Sequence, residues 1–111
     1  MTKISTKNGF AIIDKEAGWT SHDVVARARK ILNTRKVGHS GTLDPPATGV
    51  LILGVGKATR LLRFITDLQK EYVATMIMGS ETDTLDAEGK ITKTTNTYPS
   101  LSDLQESARS F

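Results

Sequence analysis

The chain has 111 residues, with 15 Lys and Arg against 12 Asp and Glu and a formal net charge of +3. Apolar residues make up 38% and charged residues 24%, a globular balance that excludes a disordered or low-complexity chain. The length predicts one domain at most and excludes a large enzyme with its own closed cavity. The absence of Cys excludes a disulfide framework, a thiolate zinc site and a cysteine nucleophile.

Met1 to Phe10 carries lysines but no apolar run of signal-peptide length. No stretch reaches about 18 consecutive apolar residues, so no membrane span is expected. These features predict a cytoplasmic protein. The charge is unevenly spread: up to Lys70, twelve Lys and Arg stand against five Asp and Glu, a net of +7. Beyond Lys70, three stand against seven, a net of −4. So biased a basic portion suits a polyanion such as nucleic acid, although a solvated basic surface has the same composition.

Taken in chain order, Gly9 to Asp14 is a short apolar run that predicts a strand, and Ala17-Gly18-Trp19 predicts a turn. Thr20 stands three residues before Asp23, the spacing of a capping box. Val24, Ala28 and Ile31 follow at helical spacing, flanked by Val25 and Leu32, so a helix is predicted over 21–32 with Arg27 and Lys30 on its outer face. Residues 33–49 lack periodicity and hold three glycines and a Pro-Pro pair, which predicts a long loop. Val50 to Val55 reads as a fully apolar strand. Lys57 to Asp67 reads as a helix with Ala58, Leu61, Leu62 and Ile65 inward.

Glu71 to Gly79 alternates as a third strand with both faces at least partly buried. Thr82 to Gly89 reads as a polar turn, Lys90 to Thr94 as a short strand and 96–100 as a loop. Ser102 is placed to cap a last helix bearing Leu104, Ala108 and Phe111. The class is α+β, a mixed or antiparallel sheet flanked by helices.

Several motifs fail on inspection. Gly54-Val55-Gly56-Lys57 lacks the Gly and the Ser or Thr of a phosphate loop, since positions 51 and 58 hold Leu51 and Ala58. A dinucleotide fingerprint fails at Thr59. Asp83, Asp86 and Glu88 do not form a calcium loop, because Leu85 stands where a ligand is needed. His22 and His39 are too isolated for a metal site. His39, Ser40 and Asp44 lack the Gly-x-Ser-x-Gly elbow of a hydrolase.

The segment Gly38-His39-Ser40-Gly41-Thr42-Leu43-Asp44-Pro45-Pro46-Ala47-Thr48-Gly49 is the informative one. Its glycines permit positive φ and close backbone approach, and its prolines stiffen the middle. Asp44 has two readings: a nucleophile or general base on a preorganised loop, or a residue that turns the loop before Pro45.

This loop resembles the signature Gly-His-x-Gly-x-Leu-Asp-Pro-x-Ala-Thr-Gly of the TruB family of tRNA pseudouridine synthases, with every fixed position present. Ile13-Asp14-Lys15 with Gly18 and Thr20-Ser21 resembles the family's first motif. Lys70-Glu71-Tyr72 resembles its Lys-x-Tyr, and Gly79, Thr82-Asp83-Thr84, Asp86 and Gly89 the segment after it. Two positions depart: Glu16 stands where Pro is usual, and Pro46 where Leu or Met is usual.

The resemblance implies isomerisation of a uridine in the T arm of tRNA to pseudouridine, without metal or diffusible cofactor. It implies that Asp44 is the essential aspartate, attacking C1′ or removing the 2′ proton. The target base must leave its stack first. By the same resemblance, His39 fills the space of the flipped base and Tyr72 stacks on the extracted uracil, an interaction worth about 1–3 kcal/mol. Lys15, Lys70, Arg35 and Lys36 are candidate phosphate contacts.

Family members are two to three times longer, so residues 1–111 are expected to be part of a catalytic domain. The second half of the sheet, its arginine that pairs with the aspartate, and a small carboxy-terminal RNA-binding domain would be absent. Weak or no activity is then expected of these residues alone, with Leu53, Met76 and Ile77 facing water. The partner implied is the T-arm stem-loop, with no obligate protein partner for a full-length member. The competing reading is a truncated, non-catalytic RNA-binding module.

Overall fold

A computed structural model describes residues 7–111. Part of the amino-terminal stretch read above, residues 1–6, lies outside the described residues. The chain divides into two compact units, the first ending at Lys70 and the second Glu71–Phe111. The boundary coincides with the change in sign of the charge. The class is α+β, as expected, and all the strand pairings described are antiparallel.

In the first unit, β1 (Gly9–Lys15), β2 (Val37–Ser40) and β3 (Gly49–Val55) build a three-stranded sheet in the order β1-β3-β2, and α1 (Ser21–Leu32) connects β1 to β2. The apolar β3 is central, which its composition predicts, because a strand bonded on both edges is the most buried. Leu51 and Leu53 are fully buried, so the expectation that Leu53 faces water is corrected. They join Val25, Val37 and Val55 in the core, with Ala11, Ile13, Val24, Ala28, Leu32 and Leu43 packed against it. Each large side chain so buried contributes roughly 2 kcal/mol.

Helix α1 has the predicted bounds. Thr20 accepts from the Asp23 N–H at 2.9 Å, and the Asp23 carboxylate accepts from the Thr20 N–H at 2.9 Å, completing the capping box. The inward face differs by one position: Val25 is the buried residue and Ile31 is exposed. At the other end Asn33 takes φ 51 and closes the helix with a left-handed cap.

The stretch expected to be one loop over 33–49 contains β2. Val37–Ser40 pairs with β3, with His39 opposite Leu53. After β3 comes a 3-10 helix, Gly56–Leu61, and then the short α2, Leu62–Thr66, in place of one continuous helix. Ala58 is buried as expected, but Leu61 is exposed. Leu62 explains one glycine: a Cβ at Gly54 would lie 2.9 Å from its Cγ, so a larger residue in the central strand would displace α2.

In the second unit, β4 (Ser80–Thr82) and β5 (Ile91–Thr94) form a hairpin. No strand forms over the predicted 71–79. Val73 is 95% exposed, and Met76 and Ile77 face solvent. Their alternation is real, but no neighbouring strand pairs with it among the described residues, and a strand needs such a partner for its N–H and C=O groups. The turn between β4 and β5 is held by Asp86, whose carboxylate accepts from the Thr84 hydroxyl and the Glu88 N–H. The last helix, α3 (Leu101–Arg109), is capped by Ser100 rather than Ser102.

Removing the α1 cap tests this account of the first unit. Thr20→Ala should cost about 1 kcal/mol, read as a lower urea midpoint. Hydrogen bonds from the Thr20 N–H and then its hydroxyl hold the Asp23 carboxyl below its ordinary value of 3.8. The carboxylate half of the cap should therefore act fully above that value and fail as pH falls through the lowered one, while the bond from the Asp23 N–H to the Thr20 hydroxyl does not titrate. Asp23→Ala should accordingly cost less in acid than at neutral pH, and an equal cost at both would contradict the role of the carboxylate in the cap.

Candidate active site

The topology brings two connections to the same end of the sheet. Because β1 and β3 are antiparallel, Lys15 at the end of β1 lies opposite Gly49 at the start of β3. The turn from β1 into α1 therefore lies beside the 41–48 loop that joins β2 to β3. Asp44 is in that loop, exposed, with its carbonyl accepting from the Ala47 N–H at 2.9 Å.

Both neighbours of Asp44 are held by the β1–α1 turn and the two residues that bound it, Lys15 and Ser21. On one side, the buried Ser21 hydroxyl accepts from the Leu43 N–H at 2.9 Å and donates to the Leu43 carbonyl at 3.2 Å. The Leu43 side chain also packs on the core. On the other side, the Pro45 carbonyl accepts from the Gly18 N–H at 2.7 Å and from Lys15 Nζ at 3.2 Å.

Lys15 is 1% exposed, which corrects its assignment as a surface phosphate contact. Its ammonium also donates to the carbonyls of Glu16 at 2.9 Å and Trp19 at 2.7 Å. An ammonium has three donors, and three carbonyls take them. A buried cation is tolerated only when its polar atoms are so matched. The side chain acts as an internal staple between the β1–α1 turn and the loop.

His39 is half-buried near the end of β2, and its Nδ1 lies 3.1 Å from the Gly41 carbonyl. A carbonyl only accepts, so Nδ1 carries the proton in this contact and a neutral ring keeps Nε2 as an acceptor. Gly41 has φ 76, a left-handed conformation that turns the chain sharply out of β2. A Cβ built there would lie 3.7 Å from Lys70 Nζ, so the Lys70 ammonium stands beside the loop.

Two further candidates lie away from Asp44 within the first unit. Arg35 and Lys36 are exposed just before β2, at the opposite end of that strand from the loop. They stand nine and eight positions before Asp44, and the strand alone sets its two ends roughly 10 Å apart at about 3.3 Å per residue. Tyr72 is exposed and belongs to the second unit. An apolar groove of the first unit, about 330 Å³, runs along β1 and α1 between Ile13, Val24, Ala28, Ile31 and Leu53, with neither Asp44 nor His39 in its wall.

Sequence comparison gives this loop a family. Residues 29–111 match the profile described as TruB family pseudouridylate synthase (N terminal domain). The chain belongs to that family. Among TruB relatives it is 61% identical over 84 residues to the tRNA pseudouridine synthase B of Thermobifida fusca (strain YX), covering 76% of this chain and 29% of that protein. It is 56% identical over 92 residues to that of Nocardia farcinica (strain IFM 10152), covering 83% and 30%. The chain thus spans less than a third of the length of these TruB relatives. A solved structure of an H/ACA RNP bound to a substrate RNA containing 2′-deoxyuridine is similar to 50% of this chain and 18% of that one, at 52% identity and a TM-score of 0.49.

Ser21 and Gly18 belong to the first motif quoted from the sequence, but nothing in their spacing assigned them to the Asp44 loop. Only the antiparallel pairing of β1 with β3 does that. Lys15→Met keeps the length of the side chain and removes its donors, taking this partner from the Glu16 and Trp19 carbonyls and leaving Pro45 with the Gly18 N–H alone. It should cost about 2 kcal/mol or more, measured by thermal or urea unfolding. An unchanged midpoint would contradict the staple.

Proposed function

We propose that residues 1–111 are the aspartate-bearing part of a catalytic domain that isomerises uridine to pseudouridine in the T arm of tRNA. The observation that carries this reading is the placement of Asp44, exposed between two residues whose backbones are both held, within the family-matched segment. A carboxylate so presented is preorganised for a ribose carbon, since its approach does not require the loop to be ordered first.

In this reading the N-glycosidic bond breaks, the uracil turns, and a C-glycosidic bond forms from its C5. Asp44 either attacks C1′ or takes the 2′ proton. His39 offers a flat imidazole at the loop entrance, its Nδ1 turned to the Gly41 carbonyl, suited to the space left by a flipped base. Lys70, beside Gly41, suits a phosphate close to that nucleotide. Arg35 and Lys36 suit phosphates farther along the RNA, and Tyr72 the uracil face. Lys15 holds the loop rather than the RNA. The basic first unit supports a polyanionic partner, and a tRNA substrate is in keeping with a cytoplasmic protein.

A chimera tests the reading independently of what these residues do alone. The 84 matching residues of the Thermobifida fusca synthase would be exchanged for those of this chain. The chimera should release tritium from 5-tritiated uridine in a T-arm RNA. Asp44→Asn in it should lower the rate by about a thousandfold or more while the RNA still binds. Turnover that survives Asp44→Asn would contradict the role of Asp44. RNA bound by the chimera without turnover would favour a non-catalytic binding module.

A further inference from the structure

We propose that Ser21 is a positioning residue for Asp44. The proposal deepens the catalytic reading of Asp44 and rests on it for its functional meaning. Ser21 is 3% exposed, so its hydroxyl finds its partners within the protein. The helix does not need that hydroxyl: the cap of α1 is made by Thr20 and Asp23. Both hydrogen bonds of the Ser21 hydroxyl go to one residue, Leu43, to its N–H and to its carbonyl.

The second of these bonds reaches Asp44. The Leu43 carbonyl lies in the rigid peptide plane that also contains the Asp44 nitrogen and Cα. Fixing that oxygen leaves the Asp44 Cα little freedom of its own. The residue that does the fixing is the first of α1, a helix packed on the core through Val25. Ser21 therefore links the position of the Asp44 Cα to the helix packed on the core of the unit. The staple at Pro45 completes the constraint from the other side, where the proline ring also fixes φ.

Amide hydrogen exchange in the 111-residue chain tests this without any turnover assay. Ser21→Ala removes the Leu43 bonds directly, so faster exchange at Leu43 alone is a local effect. The deciding reporter is the Ala47 N–H, which is bonded to the Asp44 carbonyl. Ser21→Ala should speed exchange at Ala47 by about tenfold, while the Ala28 amide in α1 keeps its protection. Ser21→Thr, which keeps the hydroxyl, should restore protection at Ala47. Exchange at Ala47 that stays at the wild-type rate would overturn the proposal. So would equal loosening of Ala28, which would make Ser21 a support of the helix as a whole. Loss of the catalytic reading would show separately, as turnover that persists in the Asp44→Asn chimera.

Discussion

Leu43 and Pro45 are each hydrogen-bonded to the turn between β1 and α1, and Asp44 between them projects into solvent. The arrangement depends on one feature of topology, the antiparallel pairing that sets Lys15 opposite Gly49. Without it the turn and the loop would lie at different places on the sheet. A 41–48 loop with two prolines would then be stiff but unanchored. The central strand supplies the rest: Leu51 and Leu53 bury the sheet against α1, and α1 carries Ser21 to the loop.

Much of this was legible in local sequence. The Thr20–Asp23 box and the apolar spacing after it mark α1, because capping and helical periodicity are properties of neighbouring residues. The apolar run at 50–55 marks β3 for the same reason. β2 was not legible, because Val37-Gly38-His39-Ser40 shows no clear alternation and is ordered by pairing with β3. The opposite failure occurred at 71–79. Its alternation is strong, yet it forms no strand in the second unit, where Tyr72, Val73, Met76 and Ile77 remain exposed.

At the site, residue types pointed to the loop but not to the work of each side chain. Lys15 has the charge of a phosphate contact and the burial of a core residue, and burial decides. Arg35 and Lys36 are close to His39 in sequence, but β2 carries them to the other end of the sheet. Ser21 stands out only when its two bonds to Leu43 are seen, since a Ser beside a helix cap is unremarkable by composition. Local chemistry is written in adjacent residues. The clamp on Asp44 is written across the 22 positions that separate Ser21 from Leu43 and the 30 that separate Lys15 from Pro45.

Backbone order in the unmodified chain measures that clamp most directly. Amide ¹⁵N relaxation should give Leu43, Asp44 and Ala47 order parameters near those of α1, about 0.85 for a rigid backbone. Values below about 0.6 across these residues, with α1 still rigid, would contradict the claim that the loop is held on both sides of Asp44.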